Sequence, residues 1–339
     1  MAEKRIGQRS WAFERGVAVL GAAAVAGPKE GKGQLKDMLD QVYPDLYCGQ
    51  DTWEKAERKM MEDVVNHAAK KAGKKTDQID MFLAGDLLNQ NISASFAART
   101  HQIPLMGMFG ACSASMLTLT TGAVLVEGGF CDTVVSAVSS HNATAERQYR
   151  YPTEYGGQKP DTAQWTVTGA GAGLIGLGGK GPLIRYATIG KVVDMGLKNP
   201  FDMGSAMAPA AAETIQAHFE DTGLAPDDYD LIVTGDLAKV GHPITADLLA
   251  EKGYDLGERF QDCGLMIFQP DQQAFAGGSG CASSAIVTYG RIIKEMMDGK
   301  LNRVMVVATG ALMNPVSYQQ GESIPCIAHA VTLEGRGNG

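Results

Sequence analysis

The chain contains a version of itself. Ile79-Asp80-Met81-Phe82-Leu83-Ala84-Gly85-Asp86-Leu87 returns 150 positions later as Tyr229-Asp230-Leu231-Ile232-Val233-Thr234-Gly235-Asp236-Leu237. Gly110-Ala111-Cys112-Ser113-Ala114-Ser115 has its counterpart in Gly278-Ser279-Gly280-Cys281-Ala282-Ser283-Ser284. Each is followed by an apolar run with helical character, a glycine and a β-rich stretch, Thr133 to Val138 and Arg303 to Ala308. A duplicated strand, loop, helix and strand leaves few folds open. Alternating elements of this kind imply parallel sheets under helical cover. The expected division is into two halves, 1–180 and 181–339, of a 339-residue chain.

The individual elements follow from spacing. Asp51-Thr52-Trp53-Glu54 is a helix N-cap with an acidic partner. Apolar residues at 53, 56, 60, 61, 64, 65 and 68 continue it at helical period, and Gly73 ends it after two lysines. Strands are expected at 79–84, 105–109, 134–139, 229–234 and 304–308. Helices are expected at 92–99, 113–126, 208–219, 246–252 and 283–297. At the N-terminus, basic residues precede the apolar run Val17 to Ala26, as in a leader peptide. Glu3, Glu14 and the Ala/Gly-rich run argue instead for an edge strand pair, Trp11 to Phe13 with Val17 to Leu20. No run reaches the roughly 18 apolar residues of a spanning helix.

Charge excludes one class of partner. The net charge is −8 and no basic block exists, so nucleic acid is not expected. The six cysteines fit neither a zinc site nor a disulfide framework. They read as reduced, buried thiols, with Cys112 the exception to consider. It ends a strand and opens a helix, where backbone N–H groups and the helix dipole lower a thiol pKa. Read alone, it is either a nucleophile at an elbow or a structural cysteine. Between the halves, 141–160 is dense in polar and aromatic residues. It is expected to be a long ordered loop, either functional or at an interface.

Two fused halves with an elbow cysteine in the first resemble the thiolase and ketoacyl synthase superfamily. That resemblance implies a layered αβαβα fold of two pseudo-symmetric halves, and a dimer formed through a central strand. It also implies a cysteine that takes an acyl group, with His and His or Asn from the second half as partners. Those partners are missing here. Gly235-Asp236 stands where a condensing enzyme carries His, and Ser279 stands where Asn or His is required. Glycine takes no proton and a serine hydroxyl is a poor base. Val240-Gly241-His242-Pro243-Ile244 imitates a catalytic Gly-His-Pro but follows the wrong strand.

Longer motifs carry a closer resemblance. Ala84 to Asn91, Ser139 to Gln148, Tyr151 to Pro160, Asp202 to Ala210 and Ile324 to His329 resemble the stage V sporulation protein AD family over essentially the whole chain. The resemblance implies a non-catalytic thiolase-fold protein. Such a protein binds dipicolinic acid (pyridine-2,6-dicarboxylic acid) and serves its uptake, with calcium, into the developing spore. It implies attachment to the spore inner membrane through the membrane proteins of the dipicolinate channel. No cofactor is expected, and calcium enters as a companion of the ligand.

A planar dianion calls for aromatic or apolar walls and convergent donors. The expected ligand set is Cys112, His141, Arg147, Arg150, Lys159, Asp86, Asp236, Ser279 and His329, beside Tyr149, Tyr151 and Tyr155. The guanidinium is suited to bidentate carboxylate contact. Asp86 and Asp236, at equivalent strand ends, repel a bare dianion, hold bridging calcium, orient donors or cap helices. Two other functions stay open: a condensing enzyme using Cys112 with His329 or His141 as base, and a scaffold that docks a membrane partner.

Overall fold

The computed structural model describes residues 3–149 and 158–336. Ten strands build the body of the fold. The first five are β1 (Val17–Ala26), β2 (Met81–Gly85), β3 (Leu105–Gly107), β4 (Thr133–Ser140) and β5 (Gly169–Leu177). The second five are β6 (Leu183–Thr188), β7 (Leu231–Thr234), β8 (Phe260–Asp262), β9 (Arg303–Ala311) and β10 (Cys326–Glu334). Read from its outer edge, the first set runs β3-β2-β4-β5-β1 and the second β8-β7-β9-β10-β6. Adding five to each label of the first gives the second. Strand directions agree as well: the three outer strands are mutually parallel and the next two pair antiparallel. The sequence repeat is therefore a repeat of topology. A single pair, Leu183 with Ala18, joins the two sets.

The central layer holds two helices. One is α3 (Ala114–Glu127), buried on nearly all sides. The other opens as Cys281–Ile286, passes through a π-turn at Val287–Ile292 and closes as Ile293–Met297. Burial on every face explains why α3 carries small residues and no amphipathic stripe. Strand β5 reads Gly-Ala-Gly-Ala-Gly where this layer meets it. A Cβ on Gly171 would lie 2.7 Å from the Ala285 Cβ and 2.8 Å from its carbonyl oxygen, so the glycine sets how close helix and sheet approach.

The outer layers are α1 (Trp53–Lys71) and α2 (Ile92–His101) on one side. On the other are α5 (Met203–Thr222) and α6 (Ala238–Ala250). Five layers result, αβαβα. Thr52 caps α1 by accepting from the Lys55 N–H. No described helix is long and apolar enough to cross a membrane.

Three expectations need correction. The run Val17 to Ala26 is no edge strand: β1 lies inside the sheet, between β5 and β6. Its alternation is absent because both faces are buried. Helices α5 and α6 begin several residues before the sequence suggested. Each contains an interior proline, Pro209 or Pro243, which reads as a breaker from sequence. The segment after His141 is not a loop: Asn142–Tyr149 is a helix, α4, whose residues through Glu146 are buried. Residues 150–157 lie outside the described residues.

Candidate functional site

The elbow is built where the two halves meet. After β3 the chain turns at Ala111, whose φ of +48° places an alanine in the left-handed region. Such a residue costs on the order of 1–3 kcal/mol and persists when its surroundings fix it. Here they do. The Cys281 thiol donates to the Ala111 carbonyl at 3.1 Å. Gly310 of β9 admits the elbow, since a Cβ there would stand 2.4 Å from the Gly110 oxygen. Cys112 follows at the start of the α3 layer, 9 % exposed.

Around its sulfur lies a narrow pocket of about 480 Å³, including its solvent-open part. Leu87, Phe109, Ala145, Tyr149, Met203 and Met313 supply most of the wall. Thr166 and Ser279 add hydroxyls from two short strands that pair in parallel, Trp165–Thr166 and Gly278–Ser279. Phe109 stands at the mouth, 53 % exposed. The composition, apolar walls with a few hydroxyls, suits an apolar-faced ligand with a polar end.

Beneath the sulfur lies Asp236, fully buried. Its carboxylate accepts from Thr309 Oγ1 at 2.6 Å, from Ser279 Oγ at 3.1 Å and from the Gly280 N–H at 3.1 Å. The Cys112 thiol lies beside it and feels its charge. Burial pushes Asp236 up to about 6 in spite of these donors. For Cys112 the expectation of a lowered pKa fails. Burial and the neighbouring Asp236 carboxylate raise it well above the ordinary thiol value, and a nearby Gly280 N–H does not compensate. The helix end favours a thiolate, but desolvation and a like charge in contact outweigh it.

Gly235 is closely packed where a condensing enzyme carries its base. A Cβ there would press on the Ala308 and Thr309 backbone at 3.2 Å. Gly280, with φ +95°, lets the backbone pass Ser140, whose Oγ a Cβ would meet at 2.7 Å.

The structure thus brings together Cys112, Asp236 and Ser279 and disperses the other expected residues. Among the described residues no Lys, Arg or His lines the pocket. Arg147 pairs with Glu54 at 2.5 Å and covers the Trp53 ring on the outer side of α4. Lys159 pairs with Glu146 at 2.7 Å. His141 is buried, bonded through Nε2 to the Leu46 carbonyl at 2.8 Å and through Nδ1 to the Ala143 N–H at 3.2 Å. His329 is buried in β10, and burial pushes it down to about 4. Its Nδ1 accepts from the Gly190 N–H at 3.2 Å. His242 sits in α6, stacked on Phe260. Arg150, Tyr151 and Tyr155 lie outside the described residues.

Asp86 caps: it accepts from the Leu88 N–H at 2.9 Å and the Ala94 N–H at 2.8 Å. Its environment mirrors that of Asp236. It lies in the field of Cys281, as Asp236 lies beside Cys112, so each half sets its carboxylate against the other half's cysteine. Buried Glu57 of α1 faces Asp86, and burial raises both carboxyls. Among the described residues no group of three or more His, Cys, Asp or Glu is arranged to hold a metal.

Sequence reasoning missed Leu87, Phe109, Thr166, Met203 and Met313. Only position supplied a signal: Leu87, Phe109 and Met313 each follow a strand end by two residues, where α/β folds place ligands, while Met203 opens α5 and Thr166 lies in the short strand pair.

Comparison with known proteins fits this architecture. The family model of stage V sporulation protein AD matches residues 7–334. Stage V sporulation protein AD of Bacillus subtilis (strain 168) is 56 % identical over 334 residues, 98 % of this chain and 99 % of that protein. The chain belongs to the stage V sporulation protein AD family. Members of a different group share its fold at low identity. A variant of OleA from Xanthomonas campestris superposes with a TM-score of 0.62 at 15 % identity, covering 95 % of this chain and 99 % of that one. Cerulenin-bound OleA gives 0.61 at 15 %, covering 95 % and 98 %. The 3-oxoacyl-[acyl-carrier-protein] synthase III of Aquifex aeolicus VF5 gives 0.57 at 13 %, covering 94 % and 100 %. The family thus has the thiolase-like fold of these condensing enzymes.

Proposed function

We propose that the protein is a non-catalytic receptor for dipicolinic acid and takes part in its uptake, with calcium, into the developing spore. The observation that carries the reading is the state of the elbow. Cys112 is held as a thiol by burial and by Asp236, and Gly235, packed at 3.2 Å against the Ala308 and Thr309 backbone, offers no side chain to act as a base. What remains is a preformed slot with aromatic and apolar walls and a few hydroxyl donors. Leu87, Phe109, Tyr149 and Met313 would hold the pyridine ring; Ser279, Thr166 and Cys112 would meet a carboxylate. Calcium accompanies the ligand as its chelate partner. On this reading the chain joins the spore membrane through proteins of the dipicolinate channel. It pairs with a second copy along β3, an outer edge on which Met106 is 44 % exposed.

Calorimetry with dipicolinate, with and without calcium, tests the reading; no heat at millimolar ligand sinks it. One observation favours a second function, acyl transfer: Cys112 lines a pocket at the head of a central helix in a fold shared with condensing enzymes. Incubation with acyl-CoA followed by intact mass separates the two. A covalent adduct lost in Cys112→Ala supports the enzyme.

A further inference from the structure

The two halves part company between strand and elbow. Five positions separate the end of β3 from Cys112, while nineteen separate the end of its counterpart β8 from Cys281. The extra chain is the segment 263–277: a short helix, Cys263–Ile267, and the loop that returns to Gly278–Ser279. The first half closes its elbow without such a segment, so the fold itself does not demand it.

The loop is strained and tied down. Gln273 at φ +48° and Phe275 at φ +56° occupy the left-handed region. Lys29 donates to the Gln273 carbonyl at 3.2 Å while its ammonium stands 3.5 Å over the Trp165 ring. Gln34 donates to the Leu265 carbonyl at 3.2 Å and to that of Phe268 at 2.5 Å. The Ala276 N–H donates to the Ala163 carbonyl at 2.9 Å. Strain of this kind persists only where neighbours fix it, and it gathers at ligand clamps.

Against the loop lies a cavity of about 1010 Å³, including its solvent-open part. Among the described residues it shares no lining with the Cys112 slot. Leu265, Phe268 and Phe275 supply apolar wall, and Lys239 of α6 supplies a positive charge. Among the described residues the Lys239 ammonium makes one hydrogen bond, to the Phe275 carbonyl at 3.2 Å. An ammonium carries three donors, so two stay available to a ligand. Gln269 and Gln273 add carboxamides to the lining. Asp161 lines the cavity too, but it is exposed, where water and salt screen its charge.

We propose that this cavity is a second ligand site and takes a small aromatic carboxylate, the carboxylate on Lys239 beside the Gln269 and Gln273 carboxamides and the ring against Phe268 and Phe275. Such a site lies beyond the receptor reading of the Cys112 slot and does not rest on it. Two features set the chemistry. A bare anion such as phosphate leaves the phenyl walls in water and forgoes their burial. A neutral ring leaves the ammonium without an anion, in a chain whose net charge is −8 and where a positive lining runs against the overall field.

Calorimetry of the whole chain with 2-naphthoate, an aromatic carboxylate, tests the assignment. Saturable binding is expected, and Lys239→Gln should weaken it at least about tenfold, since a charge-assisted hydrogen bond is lost. Ala274→Trp, which fills the cavity from its own lining, should weaken it as much. Inorganic phosphate and the neutral 2-naphthylmethanol should each bind at least about tenfold more weakly than the acid. No saturable binding up to about 10 mM, an affinity unchanged in either variant, or equal binding of either analogue overturns the assignment. Neither variant touches a residue of the slot, so failure here leaves dipicolinate binding at Cys112 to stand or fall on its own.

Discussion

Replacing Asp236 by Asn should make Cys112 more reactive. The argument runs through two charges. In the parent protein Asp236 loses its proton near pH 6, so at pH 8 the thiol must ionise beside an existing negative charge. The two groups titrate as a pair, and the thiol holds the later proton. At a separation of about 4 Å and an effective dielectric of about 20, two unit charges repel by roughly 4 kcal/mol. At 1.36 kcal/mol per pK unit this caps the shift at about 3 units. Part of the cost is relieved when the proton passes from sulfur to carboxylate, so a shift of about 1–2 units is a realistic expectation. Desolvation keeps the thiol mostly protonated in both proteins, so the thiolate fraction scales directly with the shift. Alkylation of Cys112 by iodoacetamide at pH 8 should therefore accelerate by about 10- to 100-fold in Asp236→Asn. The half-exposed Cys131 would be removed in both backgrounds as Cys131→Ser, and modification read by peptide mapping. An unchanged or slower rate would refute the claim that the carboxylate holds the thiol in its neutral form.

Three further outcomes follow from the geometry. Gly171→Ala drives a Cβ into the Ala285 backbone and should cost about 1–3 kcal/mol; Gly107→Ala, where a Cβ would meet only the Asn91 side-chain nitrogen at 3.5 Å, should cost less, and equal thermal midpoints would refute the close-packing argument. His329 is pushed down to about 4 from an ordinary 6.5, so the unfolded chain takes its proton first. The contribution of His329 itself to folded stability should fall by roughly 3 kcal/mol as pH drops from about 6.5 to about 4, read as the change in the difference between parent and His329→Gln urea midpoints; a difference that stays constant over this range would refute it. Met106→Lys places a charge on the exposed edge strand and should shift sedimentation toward monomer if copies pair along β3.

Much of the fold was legible because a repeat multiplies weak signals. Gly85-Asp86 and Gly235-Asp236 mark equivalent strand ends, and each half corroborates the other. Val17 to Ala26 was misplaced because an alanine-rich strand buried on both faces shows no alternation. Pro209 and Pro243 hid the first turns of two helices. The site was legible only at its floor. Cys112, Asp236 and Ser279 are placed by the repeat itself. Arg147 and Lys159 carry the charge a dianion needs, and sequence does not reveal that Glu54 and Glu146 are their partners. The thiol pKa was misjudged for the same reason. The helix start is visible in sequence, while the carboxylate that outweighs it arrives from 124 positions away.

That separation has a consequence for synthesis. Gly310, against which the elbow rests, emerges 198 residues after Cys112. At about 5–20 residues per second the ribosome needs roughly 10–40 s to make that stretch. During that interval α3, apolar on nearly every face, has only its own half to cover it. The nascent first half then carries an open apolar flank until its twin arrives.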